Sequence, residues 1–306
     1  MMTSMIWLPA AFLAGLFQAW RTALQRRSRD TLSVNAAGLV RYLFGLPIAI
    51  LLLASYLGLS ASGPVPAIGA NFLGMCLLAG VAQILATNLL IMAFGFSNFV
   101  VGTAYSKTEA VQAAVLAMIL TGERLEPLAW AGILAGVTGI ILLSSGGQRM
   151  RPAELARALG QPAALCGLGA GFLYAITALA VREATGALGT EDFVLTALLA
   201  LVVTMAIQTL LQGGYLLMRE PDQIARTIKS WRNSSQIGVL SALGSACWFT
   251  GFAVAPVALV RIVGQVEIVF TLGFSRFYLG ERTSASEVAG LALVVSGVAI
   301  ALLSAL

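Results

Sequence analysis

Residues 121–144 read TGERLEPLAWAGILAGVTGIILLS, and residues 279–304 read LGERTSASEVAGLALVVSGVAIALLS. Gly122-Glu123-Arg124 in the first stretch recurs as Gly280-Glu281-Arg282 in the second, at an offset of 158. The same offset, without a gap, sets Glu109 on Glu267, Val111 on Val269, Gly132 on Gly290 and Gly139 on Gly297. An offset of 156 sets Ala14-Gly15 on Ala170-Gly171 and Arg26 on Arg182. Ala and Val coincide by chance between any two apolar helices. A charged triplet and a glutamate at a fixed distance do so much less readily, so the second half of the chain reads as a copy of the first.

The 306 residues are 59% hydrophobic and 10% charged, and the mean hydropathy is +0.92. A soluble chain carries about 25% charged residues, so the solvent implied here is lipid. A spanning helix needs about 20 mostly apolar residues. Ten such runs can be drawn: 5–25, 33–57, 68–94, 97–120, 127–146, 162–182, 191–217, 237–255, 257–280 and 286–305. The short alternating stretches of a membrane β-barrel do not occur. The expected fold is an all-α membrane protein of about ten transmembrane helices, in two inverted five-helix repeats around a central cavity. The first repeat takes residues 1–146, a basic linker 147–161, and the second repeat 162–306. Five is odd, so the second copy is inverted across the membrane, a device of transporters whose site lies at the midplane between halves.

Loops after spans 1, 5, 7 and 9 carry Arg26, Arg27 and Arg29; Arg149, Arg151 and Arg157; Arg219, Arg226, Lys229 and Arg232; and Arg282. The opposite side carries Arg124 and Arg182. Basic short loops mark the cytoplasm, which puts both termini outside a bacterial inner membrane. Met1–Ser4 contains no Lys or Arg, whereas a cleaved signal peptide opens with a positive region, so the first run reads as a retained helix.

The Gly-Glu-Arg triplet, followed by an apolar helix with two glycines seven apart at the end of each half, resembles the EamA-type domain of the drug/metabolite transporter superfamily. The resemblance covers nearly the whole chain. It implies an inverted-repeat carrier with a central cavity, often an exporter of amino acids or other metabolites, as in YddG-type members. Many members place Pro near the middle of helices 4 and 9, where this chain has Glu109-Ala110 and Glu267-Ile268.

Charges at mid-membrane depth cost from about 2.5 kcal/mol upward each, so they face a cavity or a partner. Lys107 and Glu109 fall near the centre of span 4, and Glu267 near the centre of span 9. Lys107 and Glu109 are two apart on a helix and cannot pair with each other. They are expected to line a central site with Glu267, lysine holding a substrate carboxylate and a glutamate an ammonium group. The competing expectation is a set of buried ion pairs, such as Lys107–Glu267, that fixes packing or forms a gate. Gln265 stands at the repeat position of Lys107, making the cavity chemically asymmetric. Arg41 is a further candidate, with Gln83, Asn88 and Gln112 as intramembrane amides. Tyr105, Tyr174 and Trp248 are candidates for stacking on an aromatic or cationic substrate. Arg21, Arg261 and Arg276 are expected to snorkel from span ends. Gly132/Gly139 and Gly290/Gly297 share helix faces and suit close packing or a homodimer seam.

The chain has no histidine and three scattered cysteines, Cys76, Cys166 and Cys247, each inside an apolar run. That spacing forms no metal site, and no Walker-type GxxxxGK[ST] sequence is present. No catalytic residue, metal, cofactor or nucleic-acid partner is expected. The expected partners are a small-molecule substrate, the lipid bilayer and a second copy of the chain. An intramembrane lipid-modifying enzyme is the competing class, with Ser106/Lys107 as its conceivable dyad. A non-transporting subunit of another membrane protein is the third.

Overall fold

The computed structural model describes residues 5–28, 31–60, 65–96, 105–120, 122, 125–144, 161–278 and 285–303. Among them there is no strand. In the first half the helices are α1 (Trp7–Ser28), α2 (Val34–Leu43), α3 (Gly45–Leu59), α4 (Ala70–Phe96), α5 (Glu109–Leu120) and α6 (Pro127–Ser144). In the second half they are α7 (Pro162–Gly186), α8 (Phe193–Arg219), α9 (Pro221–Lys229), α10 (Trp231–Val254), α11 (Val257–Gly264), α12 (Glu267–Tyr278) and α13 (Ala285–Leu303). Helices α2 and α3 form one span, Val34–Leu59, which turns at Phe44.

The helix ends follow local chemistry. Ser33 caps α2 by accepting from the Ala36 N–H, and Asp192 caps α8 by accepting from the Leu195 N–H at 3.0 Å. Such side-chain acceptors satisfy amides left open at a helix start. Pro127, Pro162 and Pro221 each open a helix, where a missing N–H costs nothing. Gly122 follows α5 with φ 68°, the left-handed conformation a glycine readily takes at a helix end. Glu123, Arg124 and the second triplet, Gly280-Glu281-Arg282, lie outside the described residues, as does most of the basic linker.

The main helix contacts recur when the halves are exchanged. Helix α4 packs along α7, and α10 along α1. Helix α5 packs on α7, and α12 on α1. Helix α8 packs on α4, and α3 on α10, while α6 lies along α13 between the halves. These are the relations expected of two inverted five-span repeats.

The inside of this bundle is small and the outside is large. Ala11, Ala14, Ala37, Ala79, Ala175 and Ala197 are wholly buried, whereas Leu51, Leu77, Leu134, Leu165, Leu210 and Leu217 are exposed. Lipid tails are as apolar as leucine, so helices associate there by close approach of small residues. The α6–α13 contact shows this reciprocally. A Cβ added to Gly139 would sit 2.6 Å from the Gly290 carbonyl oxygen, and one on Gly297 would sit 2.6 Å from that of Gly132. Of the two roles expected for these glycine faces, close packing and a homodimer seam, they serve close packing within the chain, against each other.

Residues 221–229, read from sequence as part of a polar loop, form α9. Pro221 starts it, Asp222 lies in its first turn, and Arg226 and Lys229 lie in its last. That order of charge complements the helix dipole. Glu220 fastens this corner to the start of α2, accepting from Asn35 Nδ2 at 2.8 Å and from the Ser33 hydroxyl.

Candidate functional site

Two spans expected to be continuous are broken at equivalent places. In the second half α11 ends at Gly264, Gln265 and Val266 form a turn, and α12 starts at Glu267. In the first half Tyr105 and Ser106 are helical, Lys107 and Thr108 form a turn, and α5 starts at Glu109. The turns tighten to i→i−3 bonds. The Gln265 N–H donates to the Ile262 carbonyl at 3.0 Å, the Ile268 N–H to that of Gln265 at 2.9 Å, and the Thr108 N–H to that of Tyr105 at 3.4 Å. The Thr108 hydroxyl also donates to the Tyr105 carbonyl, at 2.8 Å. No proline makes either break.

Glycines on the first helix of the opposite half make room for them. A Cβ on Gly15 would meet the Gly264 carbonyl oxygen at 3.1 Å and the Glu267 nitrogen at 3.2 Å. A Cβ on Gly171 would meet the Ser106 carbonyl oxygen at 2.8 Å and the Glu109 nitrogen at 3.3 Å. Each break thus lies against a bare stretch of α1 or α7. Each glutamate falls in the first turn of a half-helix, where the dipole favours a carboxylate.

The charges pair across the halves. Lys107 Nζ donates to Glu267 Oε2, and Arg261 Nη1 to Glu109 Oε1 at 3.2 Å, all four side chains being buried. Gln18 Nε2 donates to the same Glu267 oxygen at 2.7 Å, and Trp248 Nε1 donates to Gln18 Oε1 at 2.9 Å. The Arg261 guanidinium lies over the Trp248 ring at 4.6 Å and the Phe252 ring at 4.9 Å, and those rings stack at 5.7 Å. The contacts therefore run Lys107–Glu267–Gln18–Trp248–Arg261–Glu109, from the fourth span through α12, α1, α10 and α11 back to the fourth.

A model of the family described as "EamA-like transporter family" matches residues 5–145 and again 161–303. The chain belongs to the EamA-like transporter family. It is a multi-pass membrane transporter of the drug/metabolite type. Among solved structures, one described as "Crystal structure of protein" aligns with a TM-score of 0.66 at 17% identity, over 98% of this chain and 96% of that one. At that identity the likeness shows the fold alone. No curated protein matches the sequence.

In this EamA-like chain a second polar group adjoins the ion pairs. Arg41, wholly buried in α2, donates from Nη1 to the Thr87 hydroxyl. The Tyr42 hydroxyl lies 3.3 Å from Thr87 Oγ1, and so does the hydroxyl of Tyr174. Arg261 Nη2 reaches the Tyr174 carbonyl at 3.5 Å, joining this group to the ion pairs. Arg21 of α1 is also buried, and one turn further along α1 Gln25 Nε2 donates to the Ala37 carbonyl of α2 at 3.2 Å.

Among the expected site residues, Lys107, Glu109, Glu267, Arg41, Tyr174 and Trp248 thus come together. Gln265 is buried in the break with neither amide atom bonded among the described residues, its oxygen 2.6 Å from where a Cβ of Gly136 would lie. Gln112 Nε2 bonds Thr108 at 2.9 Å and belongs to the α5–α7 contact. Tyr105 is half-buried beside the break. Two amides serve another seam. Gln83 accepts from Gln208 at 2.7 Å, and Asn88 links Asn35 at 3.0 Å to Gln212 at 3.1 Å, beside a cleft of about 370 Å³ between α2, α4 and α8.

Two arginines correct the sequence reading. Arg21 does not snorkel, because α1 runs on to Ser28 and leaves it well inside the helix. Arg261 turns inward between Trp248 and Phe252. The side chain of Arg276 lies outside what is described. Gln18, Tyr42, Thr87 and Phe252 were not singled out from the sequence, and the last three carry no signal there. Gln18 alone was detectable in principle, as an amide one turn from Gly15 in an apolar run.

Proposed function

We propose that this chain is a secondary transporter that exports a small zwitterionic metabolite, an amino acid or a close relative, across the bacterial inner membrane by alternating access. The supporting observation is the pair of crossed ion pairs at two broken helices, Lys107–Glu267 and Arg261–Glu109. Broken helices at the interface of inverted repeats are where transporters of this architecture bind substrate.

A zwitterion offers both charges that these pairs offer each other. Its ammonium competes for a glutamate and its carboxylate for a cation, so binding substitutes substrate contacts for protein ones. Opening the pairs frees the fourth span of one half from that of the other, and the halves can then rock. A ligand drives such a change only by its difference in affinity between the two arrangements, and competition for a buried ion pair supplies that difference. The basic loops set the orientation, with the loops after spans 1, 5, 7 and 9 in the cytoplasm.

The test is flux of radiolabelled amino acids in proteoliposomes. Wild-type protein should move a subset of them, and Lys107→Ala and Glu267→Gln should each impair that flux. Unchanged flux in both variants rejects these residues as the site. Absence of flux for every amino acid rejects the substrate class.

A further inference from the structure

The buried charge of the interior does not balance. Among the described residues the buried ionic side chains are Arg21, Arg41, Lys107, Arg261, Glu109 and Glu267, a surplus of two positive charges. Both carboxylates are taken, Glu267 by Lys107 and Glu109 by Arg261. Arg21 and Arg41 are left with no carboxylate within ion-pair distance among the described residues. Among the described residues Arg41 donates to one neutral acceptor, the Thr87 hydroxyl, and lies over the Tyr42 ring at 5.4 Å, while its Nε is buried without a partner. Arg21 has no hydrogen-bond acceptor among the described residues, and its Nε is likewise buried and open.

An unpaired buried charge is expensive, and the two arginines face one seam: Gln25, one turn after Arg21 on α1, donates to the Ala37 carbonyl, one turn before Arg41 on α2, at 3.2 Å. Such an arrangement persists where an anion completes it in the working cycle. The guanidinium fork matches a carboxylate or phosphate with two parallel hydrogen bonds. The Thr87 hydroxyl that Arg41 bonds lies 3.3 Å from the hydroxyls of Tyr42 and Tyr174, so polar groups surround the acceptor an oxyanion would replace.

We propose that Arg21 and Arg41 form the anion subsite of the transported substrate, seating its carboxylate, while the Lys107–Glu267 and Arg261–Glu109 pairs govern access and the ammonium end. The inference rests on the transporter reading above and adds a requirement to it: the substrate carries an anionic group. The ammonium of an amino acid seated there is directed at Glu267, whose carboxylate accepts at 2.7 Å from Gln18, one turn before Arg21 on α1.

The intact protein in detergent tests this by calorimetry and thermal shift. The probes are the twenty amino acids, the amide and the decarboxylated amine of each that binds, and acetate, succinate and inorganic phosphate. Wild type should bind the carboxylate form at least about tenfold more tightly than its amide, the loss expected when a charge-assisted bond goes. Arg41→Gln and Arg21→Gln should each remove that preference. Neither should lower the unliganded Tm as breaking an ion pair does, since each deletes a charge without a counter-ion. Arg41→Lys should keep part of the preference.

Equal binding of carboxylate and amide by wild type overturns the subsite and needs no variant. So does a carboxylate preference that survives both Gln variants, or no binding of any probe. Arginine-dependent binding of succinate or phosphate without any amino acid keeps the subsite and rejects the zwitterion. Amino-acid flux indifferent to both arginines keeps the transporter and rejects the subsite.

Discussion

Glu109 and Glu267 stand at equivalent positions of the two repeats, and each is neutralised by a cation of the opposite half. The cations are not equivalent. Lys107 answers to Gln265 at the repeat offset, and Arg261 answers to Thr103. The acids therefore keep the symmetry of the fold and the cations break it, giving a compact ammonium on one carboxylate and a planar fork backed by two aromatic rings on the other. The two pairs therefore differ in geometry and in hydrogen-bonding capacity.

The Lys107–Glu267 pair predicts strong coupling in stability. Glu267→Gln leaves the Lys107 ammonium buried without its counter-ion, which costs about 3–5 kcal/mol. The double variant Lys107→Met/Glu267→Gln should recover most of that loss, because paired charges and neutral replacements are often near parity. Transport should stay lost in both. Denaturant unfolding and flux, measured on the same preparations, separate packing from function. Recovery of flux in the double variant assigns the pair to packing alone.

The glycines opposite the helix breaks predict a graded cost. Gly171→Ala places a Cβ 2.8 Å from the Ser106 carbonyl oxygen, whereas Gly15→Ala places one 3.1 Å from that of Gly264. Overpacking of this kind costs about 1–3 kcal/mol, and the contacts are to backbone that cannot turn aside. Gly171→Ala should therefore lower Tm more than Gly15→Ala. An alanine at 171 that leaves Tm unchanged would mean that the break is not held by this approach.

Trp248 predicts a smaller, polar effect. Trp248→Phe removes the N–H that satisfies Gln18 while leaving a ring under Arg261. The orphaned amide oxygen and weaker ring interaction should cost about 1–3 kcal/mol. Trp248→Leu, which also removes the ring, should cost more.

Orientation is open to labelling. With Cys76, Cys166 and Cys247 replaced, a cysteine at Gln223 on α9 should react with an impermeant thiol reagent from the cytoplasm. One at Thr190, between α7 and α8, should react from the periplasm. The opposite pattern would reverse the carrier.

The spans and the two glutamates were legible in the sequence because repetition and bare apolar length survive without knowledge of neighbours. The breaks before Glu109 and Glu267 were not, since no proline marks them. They lie against glycines 15 and 171, which meet them only in three dimensions. Arg21 was misread because its helix outruns its apolar stretch, ending at Ser28 rather than near residue 25. Arg261 was misread because distance from a helix end says nothing of which way a side chain turns. The network through Gln18 and Trp248 depends on α1 packing along α10, a contact between helices more than 200 residues apart that local pattern does not encode.

The most direct measurement of the central claim is amino-acid flux in proteoliposomes for Glu109→Gln, Glu267→Gln and Gln83→Leu, at matched protein density. Crossed ion pairs at the helix breaks predict that both glutamate variants fall at least about tenfold, a loss of roughly 1.4 kcal/mol, while Gln83→Leu, at a separate packing seam, keeps most of its flux. Wild-type flux in both glutamate variants, with Gln83→Leu inactive, would contradict it.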